Sequence, residues 1–251
     1  MRADQSNSWS GRLRSGQGGR HDRLYFSRVG ARVAREFGTA APPGRVNAHF
    51  YGSAGQSFGA FLSAGVVMKL VGEANDYVGK GMGGGRIVIA PPTDDAGRPV
   101  LVGNTALYGS TGGKLFCAGR AGERFAVRNS GATAVVEGVG AHACEYMTAG
   151  TVVVLGSTGP NLAAGMTGGR LVVRDLDTAL LNDEHVAVAE LDAELLAAIR
   201  ALLERHARYT GSPRTTVMLE DWEREARRLA LLLPKPAYAA RRVDASRSAT
   251  G

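Results

Sequence analysis

The sequence predicts an all-β solenoid closed by a C-terminal helical cap. Three observations point there: glycines that open apolar runs at a nearly constant spacing, apolar alternation within those runs, and two helix-period segments that follow them. The opening glycines are Gly65, Gly85, Gly113, Gly131, Gly150 and Gly169, separated by 20, 28, 18, 19 and 19 residues. A period near 19 is shorter than that of helical repeats, about 33 to 47 residues, and suits one coil of a β-solenoid. The long interval holds Pro91 to Pro99 (PPTDDAGRP), a turn-rich insertion of about the excess length.

In chain order, residues 1–27 are polar and glycine-rich without periodicity, and read as a disordered or non-native leader. Residues 28–45 read as a short helix, Val29 to Phe37, stopped by Gly38 and followed by a linker through Pro42-Pro43. Residues 46–189 form the solenoid. Alternate side chains of a strand share a face, so the residues two and four after each glycine should point inward. They are Val67, Ile87, Leu115, Thr133, Val152 and Leu171, then Lys69, Ile89, Cys117, Val135, Val154 and Val173; ten of these twelve are apolar. The intervening outer row, Met68, Val88, Phe116, Ala134, Val153 and Val172, is apolar throughout. Such a stripe is rarely left exposed, so either the C-terminal helices or another protein should cover it. The glycines themselves suit tight corners that need φ > 0 and close backbone approach between coils.

Residues 190–238 read as a helix pair. Glu190 to Tyr209 sets Leu191, Leu195, Leu196, Ile199, Leu202, Leu203 and His206 on one face and ends at Thr210-Gly211-Ser212-Pro213. A second helix, Leu219 to Leu233, carries Trp222, Ala226, Leu229 and Leu233 and stops at Pro234. The pair should hide the last open edge of the solenoid, and residues 239–251 read as a frayed tail.

Composition narrows the function. Of 251 residues 44% are hydrophobic and 21% charged, too apolar for a disordered chain, and the 35 glycines lack a collagen period. Twenty-six of those glycines fall within 52–169. The net charge of +7 is concentrated at the start: residues 1–45 hold nine Lys/Arg against three Asp/Glu. It is not spread over a folded face, so a nucleic-acid partner is not expected. No apolar run approaches the ~20 residues of a membrane span, and the N-terminus lacks the apolar segment of a secretory signal. Two cysteines, Cys117 and Cys144, are too few for a disulfide scaffold, which leaves a reducing, cytoplasmic setting as the default.

The candidate chemistry is thin. Gly79-Lys80-Gly81-Met82-Gly83-Gly84-Gly85 precedes a strand, whereas a dinucleotide fingerprint follows one and opens a helix, so solenoid corners explain it better. His142, Cys144 and Glu145 are adjacent, but structural zinc asks for four ligands in paired spacing, and Cys117 sits in an inward row. Glu73, Asp76, Glu123, Arg124, Arg128 and Glu137 read as charge ladders between coils or as a docking surface. No catalytic, cofactor-binding or metal-ligating residue is assigned.

The segments GSAGQSFGAF (52–61), GEANDYVGKG (72–81), GNTALYGSTGG (103–113), GERFAVRNSGATAVVEGVGAHACEYMTAG (122–150) and NLAAGMTGG (161–169) closely resemble the C-terminal GXGXG domain of the glutamate synthase large (alpha) subunit. The resemblance runs from about Val29 to Tyr238 and implies a single-stranded right-handed β-helix. It implies a role in making two glutamates from glutamine, 2-oxoglutarate and reductant. In that family a cysteine-nucleophile amidotransferase domain releases ammonia to a barrel that carries FMN and an iron–sulfur cluster. Neither is part of the matching segments, so this chain is expected to be non-catalytic and to bind no cofactor itself. Its expected partners are the amidotransferase, the FMN barrel and, as a further candidate, the small FAD subunit, which it would hold in register. Two other readings stay open: a binding module that docks on another amidotransferase or a glutamine synthetase-like enzyme, and a nucleotide enzyme using the glycine-rich loops.

Overall fold

The computed structural model describes residues 8–10, 31–33, 35–38, 42–92 and 99–240. Most of the leader and the tail from 241 onward lie outside them, as does 93–98 within the proline-bounded insertion. Residues 31–33 and 35–37 are helical and Gly38 follows with φ 59°.

From Val46 the chain winds as a parallel solenoid of about six turns. Each coil places one strand in a single ten-stranded sheet. The strands are β1 (Ser8–Ser10), β2 (Val46–Ser53), β3 (Val66–Glu73), β4 (Gly83–Ala90), β6 (Gly112–Cys117), β8 (Ser130–Val136), β9 (Ala149–Val154) and β10 (Arg170–Arg174), paired in parallel. The excess residues of the long coil lead into β5 (Val100–Val102), which pairs with β7 (Arg120–Ala121) in a small second sheet.

The register corrects the face assignment in two coils. Leu115 pairs with Ala134 and Ala134 with Val152, so Ala134 and Val136 face inward while Thr133 and Val135 face out. Likewise Met68 and Leu70 fill the first full coil, and Val67 and Lys69 lie outside. Lys69 and Thr133 were the two polar residues among the twelve expected inside. Both occur where glycine spacing departs by one residue from strand pairing, and a one-residue slip exchanges the faces. The true outer row is Lys69, Val88, Phe116, Val135, Val153 and Val172.

That row is covered from within the chain. Helix α1 (Ala193–Thr210) lies across it, burying Leu195, Ile199, Leu202, Leu203 and His206 against Val88, Phe116, Val135, Val153 and Val172. Asp192 caps its start, accepting from Leu195 N at 2.7 Å, and Gly211 ends it with φ 73°. The second expected helix is shorter than its sequence suggests. Helices α2 (Pro213–Glu220) and α3 (Trp222–Ala226) are followed by a strand, β12 (Leu229–Pro234), where the sequence predicts helix to Leu233. β12 runs antiparallel to β10, and β11 (Val186–Ala189) runs antiparallel to β12. These two strands, not the helices, close the last coil; the helices cover the face.

Coil spacing leaves no room for side chains at some glycines. A Cβ on Gly168 would stand 1.9 Å from the Thr148 carbonyl oxygen of the preceding coil, backbone that has nowhere to move. Gly211 has open space but a left-handed φ. We expect Gly168→Ala to cost ~3 kcal/mol and Gly211→Ala about 1, measured by urea unfolding. Equal costs would show that the coils are less tightly spaced than described.

Candidate functional site: the left-handed ladder and the cap junction

Opposite the sheet, every coil crosses a five-residue step in which the first, third and fifth residues are left-handed. The steps are Ser57–Phe61, Tyr77–Gly81, Thr105–Gly109, Arg124–Arg128, His142–Tyr146 and Asn161–Gly165. Thirteen of the eighteen left-handed positions are not glycine, with φ between 53° and 62°. An L residue there costs of order 1 kcal/mol. The ladder bonds offset it: Arg124 N donates to Ala141 O at 2.8 Å and Arg128 N to Glu145 O at 2.9 Å, while Cys144 N donates back to Phe125 O at 2.7 Å. The second and third residues of each step point into the solenoid, as Phe125 and Ala126 do, and most of the others reach the outer surface, Ala60 and Val127 being buried.

The sequence candidates fall into place on this ladder. Gly79 and Gly81 are left-handed members of it, and Gly83 to Gly85 open β4. The amides of Gly79, Gly81, Met82, Gly83 and Gly84 all donate to backbone carbonyls, so none is left to cradle a phosphate. Cys144 is wholly buried and its thiol is pushed up to about 12 by burial; Cys117 is raised further by burial and by the Glu137 charge. Glu145 takes Arg124 at 3.0 Å and approaches His142 at 3.8 Å. Asp76 accepts from Asn104 N and Asn104 from Glu123 N, each at 2.8 Å, a chain of side-chain bonds from coil to coil. Thus Asp76 and Arg124 take part in bonds between coils, while Arg128 is exposed.

Glu137 does neither. It leaves the end of β8 toward the helical cap and is buried there. His206 Nε2 of α1 lies 3.5 Å from its Oε1, and Ser212 Oγ donates to the same oxygen. Ser212 is also the α2 cap, accepting from Thr215 N at 3.1 Å. Burial alone would raise the Glu137 carboxyl, but His206 and Ser212 bonding, with the His206 and Arg214 charges, holds it below the ordinary range. The junction borders a cleft of about 750 Å³ whose charged lining includes Arg174 and Glu225. Those two are already paired at 2.5 Å, and Arg228 joins them to Asp175. The arrangement fastens α1 and α2 to the solenoid. Sequence reading placed His206 on the correct helix face but could not see that Glu137, 69 residues earlier, meets it.

The GXGXG motif family matches residues 19–235. This chain belongs to the GXGXG family. The GXGXG chain is 49% identical over 208 residues to the ferredoxin-dependent glutamate synthase of Pyropia yezoensis, covering 80% of this chain and 14% of that protein. It is 46% identical over 222 residues to glutamate synthase [NADH] of Schizosaccharomyces pombe, covering 85% and 10%. It is 44% identical over 219 residues to the glutamate synthase [NADPH] large chain of Bacillus subtilis, covering 82% and 14%. The GXGXG chain thus spans between 10% and 14% of the length of these relatives. Among its described residues no helix is long and apolar enough to cross a membrane.

Proposed function

We propose that this GXGXG chain is a structural, non-catalytic part of a glutamate synthase, which makes two glutamates from glutamine, 2-oxoglutarate and reductant. Its task is to hold the amidotransferase and FMN-barrel parts in register, with a small FAD subunit as a further partner. The observation that carries this reading is how its groups are used. The interior is filled with apolar side chains, both thiols are buried and raised, and Glu137, the deeply buried carboxylate of the β-helix, is spent on fastening the cap. FMN and the iron–sulfur cluster are assigned to the partners. A cluster asks for about four thiolates, and the two cysteines here both face the core of the solenoid. Two free, buried cysteines suit a reducing compartment, and a cytoplasmic setting is part of the proposal.

The test is reconstitution. The purified chain alone is expected to form no glutamate from glutamine, 2-oxoglutarate and reductant. Added to separately produced amidotransferase and FMN-barrel chains, it is expected to form a complex and raise coupled glutamate formation at least tenfold. Glutamate formation by the chain alone overturns the reading, as does failure of the three to assemble.

A further inference from the structure

We propose that the outer surface of the left-handed ladder is the docking face for a catalytic partner, and that the partner meets it with carboxylates. The inference rests on the structural reading given above. The broad sheet face is already covered by the helical cap, whereas the ladder face carries no covering element among the described residues.

What the ladder displays is the composition of an interface. Phe61, Tyr77 and Tyr146 are among the most exposed large hydrophobic residues, at 59%, 38% and 54%, and Tyr108 and Arg128 share the surface. Tyr, Phe and Arg are the types enriched in the buried centres of interfaces. Their backbone is rigid, held on both sides by ladder bonds, so little ordering remains to oppose docking. Two of the rings are also laid flat by design of the coil. A Cβ on Gly81 would stand 2.7 Å from Phe61 Cε1, and one on Gly165 would stand 2.5 Å from Tyr146 Cε1. Glycine in the following coil therefore lets each aromatic side chain lie down and broaden a level apolar surface. The five intervals of about 4.8 Å between six coils give a height of ~24 Å, close to the ~28 Å side of a standard 800 Å² patch.

The charge pattern selects the occupant. Lys80 lies over the Tyr77 and Tyr108 rings at 5.3 and 5.9 Å, and Arg128 makes no ion pair with the described residues. Within the six steps themselves the carboxylate is Glu145, already taken by Arg124 and His142; Asp76 and Glu123 flank the steps, and Asp76 accepts from Asn104 N. Two cations are thus left to a partner, and a face bearing Asp or Glu opposite them is complementary.

The experiment measures assembly of the full chain with the amidotransferase and FMN-barrel chains, by titration at physiological salt. The double variant Lys80→Glu/Arg128→Glu is expected to weaken assembly at least tenfold, and Tyr146→Ala at least fivefold, with thermal unfolding unchanged within a few degrees. Lys114→Glu/Arg170→Glu, on the sheet side, is expected to leave assembly within twofold. Assembly that is lost with the sheet-side pair and kept with the ladder pair overturns the docking face while leaving the structural reading intact. A wild-type chain that assembles with neither partner overturns both. A wild-type chain that dimerises by itself and becomes monomeric with Lys80→Glu/Arg128→Glu overturns the assigned occupant. Should the double variant unfold, Tyr146→Ala alone decides, and unaltered assembly in that variant overturns the proposal.

Discussion

Phe116→Asp and Val153→Asp are expected to unfold the chain or release its cap, whereas Lys114→Asp and Arg170→Asp change stability by under about 1 kcal/mol. Phe116 is wholly buried between β6 and α1, with its ring 5.3 Å from Tyr209 and 6.1 Å from His206. Removing such a ring costs about 3 to 5 kcal/mol, and a carboxylate put in its place must be desolvated or protonated. The sum reaches the whole stability of an ordinary domain, about 5 to 15 kcal/mol. Val153 stands two pairings further along the same outer row, also wholly buried, and its substitution strikes the same seam. Lys114 and Arg170 lie on the same sheet but are exposed, so they test the face and not the strands. Urea unfolding, together with dye binding to exposed apolar surface, distinguishes a lost cap from global unfolding. Equal and small effects at all four positions would show that α1 does not depend on this row.

The solenoid was legible because its period is written in glycine and its rows in apolar residues. The outer row is where sequence said most: an apolar stripe needs a cover, and α1 provides it. The errors have one physical source each. Glycine marks corners, not register, so a corner that shifts by one residue exchanged Thr133 with Ala134 and Lys69 with Met68. The LALLLP run at 229–234 is apolar at every helical and every strand offset, so periodicity could not assign it; only the unpaired edge of β10 makes it a strand. The left-handed ladder was only partly visible. Its glycines at Gly79, Gly81 and Gly165 announced φ > 0, but Arg124, His142 and Tyr146 adopt the same conformation with no local signal. They do so because neighbouring coils supply the bonds. The cap junction was invisible for the same reason: a contact between Glu137 and Ser212 across 75 residues leaves no trace in spacing.

That junction carries the second large effect. Glu137→Ala is expected to cost about 3 to 5 kcal/mol, since it strands His206 and Ser212 in a buried site and removes the charge that Arg214 faces. Glu137→Gln keeps the shape and one acceptor, so it should cost less, ~2 kcal/mol. The two variants also differ from wild type in acid. The Glu137 carboxyl is held lower in the folded chain than its unfolded value near 4.3, so its contribution is complete above that value. As pH falls below about 4.5, the unfolded chain takes up the proton first, and stability declines until the folded carboxyl is protonated too. Glu225 is held down by Arg174 and Arg228 and adds a slope of the same sign, which both variants keep. Glu137→Gln should therefore flatten the acid decline without abolishing it. An acid slope identical to wild type would mean that Glu137 is not the ion that fastens the cap, and the apolar cluster that holds Leu203 and Met218, with the Arg214 bond to the Leu155 carbonyl, would then hold the corner between α1 and α2.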